Sequence, residues 1–272
     1  EKEIRVVKEP QLEFLYYQDV KSRKKNDTLN VLSLFSGCGG MDLGFEGGFS
    51  VLQESVNEIL SPDFINKKLK NGFVELKKTK FKTVFANDIL SDARNAWVNY
   101  FSKRGNNAED FYQESIVDLV KMHKNGISIF PDEVDIVTGG FPCQDFSIAG
   151  KRNGFNSHKN HDGKLIEKET ASAETRGQLY MWMKEVIEIT EPKIFIAENV
   201  KGLVNLGDVK SIIQNDFSSA NGNGYIVLDP QVLHSANFGV PQSRERVIFI
   251  GIKKSALKKS ALAELEKETI SE

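Results

Sequence analysis

Short apolar runs, each ending in a glycine or polar turn, recur along this chain, and that rhythm constrains the fold more than any other feature. Asn30–Phe35 (NVLSLF) runs straight into Ser36-Gly37-Cys38-Gly39-Gly40 and a helical start at Met41. Lys82–Asn87 (KTVFAN) ends at Asp88, and a helix is predicted from Ser91 to Phe101 with Ser91 or Asp92 as its N-cap. Glu133–Thr138 (EVDIVT) stops at Gly139-Gly140, and Lys193–Ala197 (KIFIA) stops at Glu198-Asn199-Val200. Leu179, Trp182, Met183, Val186 and Ile187 recur at helical spacing and predict a helix over 178–190. Further helices are expected over 209–218 and, polar and weakly amphipathic, over 253–271, with strands over 225–228 and 246–252. Strands alternating with helices form βαβ units, so an α/β fold with a mostly parallel sheet is expected. Residues 1–28 read as a polar lead-in with a short helix around 11–20, residues 29–252 as the main domain, and residues 253–272 as a charged helical tail. The lysine-rich stretch 52–80 interrupts the rhythm and reads as an insertion.

Composition excludes several classes. Of 272 residues, 40% are hydrophobic and 27% charged, which fits a folded chain with a sizeable core. Two cysteines do not make a disulfide scaffold and suit a reducing, cytoplasmic setting. No apolar run approaches the roughly 20 residues of a membrane helix, and Glu1–Pro10 lacks the apolar core of a signal peptide. A net charge of −2 does not suit a protein that coats nucleic acid by bulk charge, though it leaves room for a local basic face.

The chemistry-bearing residues stand where these strands end. In open α/β sheets, ligands bind beyond the carboxyl ends of the strands. The turn at Phe35–Met41 suits close approach of backbone to a ligand, and Asp88 after the next strand suits a ribose hydroxyl pair; a purely structural turn fits equally well. Its spacing is neither G-x-G-x-x-G nor a P-loop. Cys143, stiffened by Pro142, is a candidate nucleophile once deprotonated, or a buried small apolar residue. Glu198 is costly to bury unless paired or protonated. Arg244 and Arg246 point to one face of an extended chain while Glu245 points away, which suits a phosphate or a base carbonyl, or a charged sheet edge. His158 and His161 lack the further ligands of a metal site, so no metal is expected. Trp97 and Trp182 read as core.

FSGCGG, GFPCQDFS, ENV and QSRERV, in this order across residues 30–252, resemble the C5-cytosine DNA methyltransferases. The resemblance implies a Rossmann-like fold that binds S-adenosylmethionine and methylates a cytosine flipped out of double-stranded DNA. It implies that Phe35, Ser36, Gly37, Cys38, Gly39, Gly40 and Met41 cradle the cofactor, that Asp88 holds its ribose, and that Ile89 and Ile116 flank its adenine. Ser115 stands where the family often has an acid that contacts the adenine amino group. Pro142 and Leu179 would complete the cofactor site. Cys143 would attack C6, Glu198 would satisfy N3, Arg246 would hold O2, and Arg244 would contact a phosphate or brace the loop. The stretch 145–175, with Lys151, Arg152, Lys159, Lys164 and Lys168, would clamp DNA.

Family members continue past the RER strand into a target-recognition region and two closing motifs, which find no match here. Recognition is therefore expected from elsewhere, a second polypeptide included, and a restriction-modification role is expected. Competing readings are the transfer-RNA cytosine methyltransferases, which typically read Pro-Pro-Cys where this chain has Phe141-Pro142-Cys143, an idle DNA-binding or regulatory subunit, and a nicotinamide-dependent oxidoreductase.

Overall fold

The computed structural model describes residues 28–59, 61–142, 179–205 and 208–270, with side chains to residue 266. Cys143, the stretch 145–175, His158, His161 and the lead-in 1–27 lie outside the described residues.

The central sheet is built from β1 (Leu29–Leu34), β5 (Phe81–Asn87), β6 (Phe111–Tyr112), β7 (Ile136–Gly139), β8 (Ile194–Val200), β9 (Tyr225–Val227), β10 (Gln231–His234) and β11 (Glu245–Lys253). Its order is β10-β11-β8-β7-β1-β5-β6, with β9 also paired to β11. The neighbours from β6 to β8 run parallel. β11 runs antiparallel to β8, β9 and β10. Val31–Leu34 and Ile136–Gly139 are buried throughout, as expected of central strands covered on both faces.

Successive side chains of a strand point to opposite faces, and the core divides accordingly. Phe85 belongs to the larger apolar cluster, with Leu32, Leu34, Val137, Phe195 and Phe249, under α3 (Ile116–Lys124), α4 (Leu179–Thr190) and α5 (Val209–Ser218). Its neighbour Ala86 belongs to the smaller cluster on the other face, with Trp97, Phe101 and Phe111. Trp97 and Phe101 lie on α2 (Ser91–Phe101), and Leu43 of α1 (Gly40–Glu46) packs against this cluster.

Four differences from the sequence reading have local causes. Helix α1 begins at Gly40, one residue early, behind the left-handed Gly39. The α2 N-cap is Leu90, not Ser91 or Asp92, because the Asp88 carboxylate takes the Leu90 N–H one step earlier (3.0 Å). β8 runs on through Glu198 to Val200 because β11 pairs with it as far as Arg246↔Val200. The tail is not one helix: a short 3-10 turn at Lys254–Ala256 precedes α7 (Lys259–Ile270), while a short turn, α6 (Ala220–Asn223), follows α5.

The 52–80 stretch is a folded unit. β2 (Ser50–Leu52), β3 (Ile65–Lys68) and β4 (Phe73–Leu76) form a separate antiparallel sheet in the order β2-β4-β3 around the fully buried Val74. It is tied to the main body where Gly48 donates to the Lys77 carbonyl (3.0 Å) and Thr79 to the Glu46 carbonyl (3.0 Å).

Candidate active site

The chain passes from β1 to β5 on one side and later from β6 to β7 on the other, so the strand order reverses beside β1. Crevices at such reversals hold ligands in open α/β sheets. A cleft of about 270 Å³ opens there. Phe35 reaches it from the end of β1, Asp88, Ile89 and Leu90 from the end of β5, and Ser115 and Ile116 from the start of α3 after β6. Gly140, Phe141 and Pro142 follow β7, and Leu179 opens α4. Glu198 of β8, with Arg244 and Arg246, completes the wall.

The glycine turn holds Asp88. Gly37 N–H donates to Asp88 Oδ2 (3.0 Å), while Leu90 N–H holds Oδ1 (3.0 Å). Ser36 ties the turn to β5: its N–H donates to the Asn87 carbonyl (2.8 Å), and its hydroxyl accepts from Asn87 N–H (3.1 Å). Two fixed N–H donors thus orient an acidic group at the cleft. Ser36, Gly37, Cys38, Gly39, Gly40 and Met41 stand outside the lining, and Cys38 is exposed to solvent. Gly39 answers to the core rather than the cleft, since a Cβ there would sit 2.7 Å from Trp97 Cδ1 in a backbone with φ of 86°.

Ser115 has a local task. It is the N-cap of α3, with its hydroxyl accepting from Val117 N–H (3.3 Å). Its loop is held by the buried Asn87, whose amide donates to the carbonyls of Tyr112 (3.0 Å) and Glu114 (2.8 Å).

At the other wall, Arg246 Nε lies 2.7 Å from Glu198 Oε1 and Arg244 Nη2 lies 3.5 Å from the same oxygen. Glu245 turns the other way and pairs with Lys201 (2.7 Å), whose hydrogen bond pulls its pKa down. The two arginines therefore share a face, as the extended register requires. A Cβ on Gly140 would lie 3.1 Å from Glu198 Oε2, so the backbone after β7 runs directly past the carboxylate.

Sequence reasoning gave no role to Asn199, which the structure makes central to this wall. It is 1% exposed, and its amide donates to the Phe141 carbonyl (3.2 Å), two residues before Cys143. The signal was present: alternation along β8 puts Asn199 on the buried face with Phe195 and Ala197, and a buried amide needs a partner. Among the described residues no group of three or more His, Cys, Asp and Glu side chains is arranged to hold a metal, and no helix is long and apolar enough to cross a membrane.

The family model of the C-5 cytosine-specific DNA methylases matches residues 69–272. The type II methyltransferase M.BsuRI of Bacillus subtilis is 36% identical over 233 residues, covering 85% of this chain and 44% of that protein. M.BspRI of Lysinibacillus sphaericus is 34% identical, covering 84% and 46%. The chain thus spans less than half the length of these curated relatives. The crystal structure of an E. coli prophage-encoded protein assigned as a DNA modification methyltransferase matches 84% of this chain and 47% of its own, with a TM-score of 0.50 and 25% identity. The mainly parallel sheet with helices on both faces is accordingly a Rossmann-like methyltransferase fold, and the chain belongs to the C-5 cytosine-specific DNA methylase family.

Proposed function

We propose that this chain is the catalytic part of a DNA cytosine-5 methyltransferase that takes its methyl group from S-adenosylmethionine. The observation that carries the reading is the Glu198 carboxylate, gripped by Arg246 and Arg244 in the same cleft that presents Asp88. A single cleft with a fixed acid at one wall and an arginine-held acid at the other suits two ligands meeting between them.

The residues present fit the cofactor. The Asp88 carboxylate, oriented by Gly37 and Leu90, has lone pairs left for a ribose hydroxyl pair. Phe35, Ile89, Ile116 and Leu179 offer apolar walls to the adenine and the methionine arm. Bound there, S-adenosylmethionine supplies an electrophilic methyl group for C5 of the cytosine.

The protein's part is to make C5 nucleophilic. The Cys143 thiolate adds to C6, the sulfur–carbon bond forms, and the ring electrons move toward N3 and C5. Glu198 meets N3, where charge develops, and Arg246 meets the O2 carbonyl. Arg244 braces the same Glu198 oxygen as Arg246. After transfer, a base removes the C5 proton, the sulfur–carbon bond breaks, and the thiolate leaves. A cytosine inside a duplex cannot reach this cleft, so it is flipped out.

The relatives named above are type II methyltransferases, and a restriction-modification role in the cytoplasm is proposed by that likeness. Sequence readout needs contacts to base edges, and the proposal assigns it to elements outside residues 29–252, on the same or a second polypeptide.

The test supplies the methyltransferase with labelled S-adenosylmethionine and either duplex DNA or transfer RNA. The expected product is 5-methylcytosine in DNA, lost when Glu198→Gln is introduced. Labelling of transfer RNA alone, or full activity of Glu198→Gln, overturns the reading.

A further inference from the structure

The loop that carries Arg244 is pinned at both ends. At its base, Ser235 N–H donates to the Arg244 carbonyl (2.8 Å), the Ser235 hydroxyl donates to the Gln242 carbonyl (2.6 Å), and His234 Nε2 and Ser243 Oγ lie 3.3 Å apart. At its tip, Gly239 adopts φ of 79° and meets the backbone of Ser55, in the three-residue turn Gln53–Ser55 that follows β2. A Cβ on Gly239 would lie 2.8 Å from the Ser55 carbonyl carbon and 3.0 Å from its Cα, and would strike the carbonyl oxygen. The contact is backbone on backbone, and no rotamer change relieves it.

The turn that makes this contact is itself tied down. Gln53 N–H donates to the Gly72 carbonyl between β3 and β4 (2.8 Å), and Leu76 N–H donates to the Phe49 carbonyl (2.9 Å). Thr79 N–H continues the chain of contacts to Glu46 at the end of α1, and the Thr79 hydroxyl to the Phe45 carbonyl. An unbroken series of fixed contacts therefore runs from α1 through the small sheet to the tip of the arginine loop, and from the base of that loop to Glu198.

We infer that the small β2-β4-β3 sheet is a positioning element of the active site, whose Gln53–Ser55 turn holds the tip of the 235–244 loop so that Arg244 stays on the Glu198 carboxylate. The inference rests on the reading of Glu198 and its arginines as the cytosine-binding group. Gly239 is a positioning residue: it touches neither substrate nor cofactor, and it permits the close approach.

The test measures methyl transfer to duplex DNA, with the affinity for S-adenosylmethionine as a check on folding. Gly239→Ala is expected to lower kcat about tenfold, as small displacements of catalytic groups do, with S-adenosylmethionine affinity unchanged. In an Arg244→Ala background the same change should lower kcat by less than about twofold, because the group it positions is gone. In a variant with residues 52–77 replaced by a short glycine-serine linker, Gly239→Ala should again have little further effect. Full additivity of Gly239→Ala with Arg244→Ala overturns the inference. So does a linker variant with unchanged kcat, or Gly239→Ala with unchanged kcat. An active Glu198→Gln enzyme would instead defeat the underlying functional reading, so the two failures are distinguishable.

Discussion

Arg246 holds Glu198 across two antiparallel strands, Nε to Oε1 at 2.7 Å, with both side chains about one-quarter exposed at the mouth of the cleft. The register explains the pair. β11 places Ile248 opposite Glu198 and Arg246 opposite Val200, so Arg246 lies one diagonal step from the acid on the same face. The carboxylate is thereby aimed; Arg246 Nη1 also donates to the Glu245 carbonyl (2.8 Å), and in the proposed reaction the remaining N–H donors serve the base carbonyl.

Breaking that pair should therefore affect turnover more than folding. Arg246→Ala is expected to lower kcat by about 10²-fold or more, in the range of other lost charge-stabilising donors. Arg246→Lys should recover only part of this, because an ammonium cannot present the planar fork. Steady-state methylation of duplex DNA, with thermal unfolding as a control, checks both.

Asn199 makes a different prediction. Asn199→Ala leaves the Phe141 carbonyl without its buried donor, which should cost about 1–3 kcal/mol of stability. Because Phe141 leads through Pro142 to Cys143, kcat should also fall while S-adenosylmethionine binding is retained. Denaturant unfolding and cofactor titration on one preparation separate the two effects. Unchanged stability would show that the amide carries no structural weight.

Asp88 should govern cofactor affinity. Asp88→Ala removes the acceptor that Gly37 and Leu90 orient, and the affinity for S-adenosylmethionine is expected to fall about tenfold or more. Calorimetric titration measures it. Asp88→Asn should recover little, because the amide nitrogen would face an N–H donor.

Stability should depend on pH through Asp42. Burial pushes its carboxyl up from 3.8 to about 6, opposed by hydrogen bonds from Ser33 and from the Trp97 indole (2.7 Å to Oδ2) and assisted by nearby Glu46. Its Oδ1 is buried without a partner among the described residues. The folded-state value lies above the unfolded one, so the folded protein binds more protons between the two. Stability from this group is present below pH 4 and is lost as pH rises from about 4 to 6, by about 3 kcal/mol. Asp42→Asn keeps an acceptor for Trp97 and should flatten that segment of the stability–pH curve. A difference curve, wild type minus the Asp42→Asn variant, that rises with pH over this segment would contradict the assignment.

The central strands were legible because their apolar runs reflect burial on both faces, and Phe35, Asp88, Pro142 and Glu198 could be marked because each follows such a run, whereas Ser115, Ile116 and Leu179 were marked only through the family resemblance. The two-residue β6 carries too little sequence to signal itself. β10 was missed because Gln231–Leu233 are exposed and leave no buried alternation to read. Helix α3 was missed although Ser115 caps it and Ile116, Val117, Leu119 and Val120 form its buried stripe. The small sheet hid behind its lysines, since only Val74 is fully buried there. Spacing marked Arg244, Arg246 and Glu198 separately, but only the folded chain, through the β8–β11 register for Arg246 and the loop before β11 for Arg244, brings both guanidinium groups to one Glu198 oxygen. Likewise nothing local to Gly239 reveals that Ser55 lies against it.

The most direct test of the central claim uses duplex DNA in which the target cytosine is replaced by 5-fluorocytosine. The complete methyltransferase and S-adenosylmethionine are added, and the products are weighed by mass spectrometry. Fluorine cannot leave as the C5 proton does, so the account predicts a stable adduct of DNA, protein and methyl group joined through Cys143, absent from Cys143→Ser and from Glu198→Gln. An adduct that persists in Cys143→Ser, or an enzyme that methylates cytosine yet never traps, would contradict it.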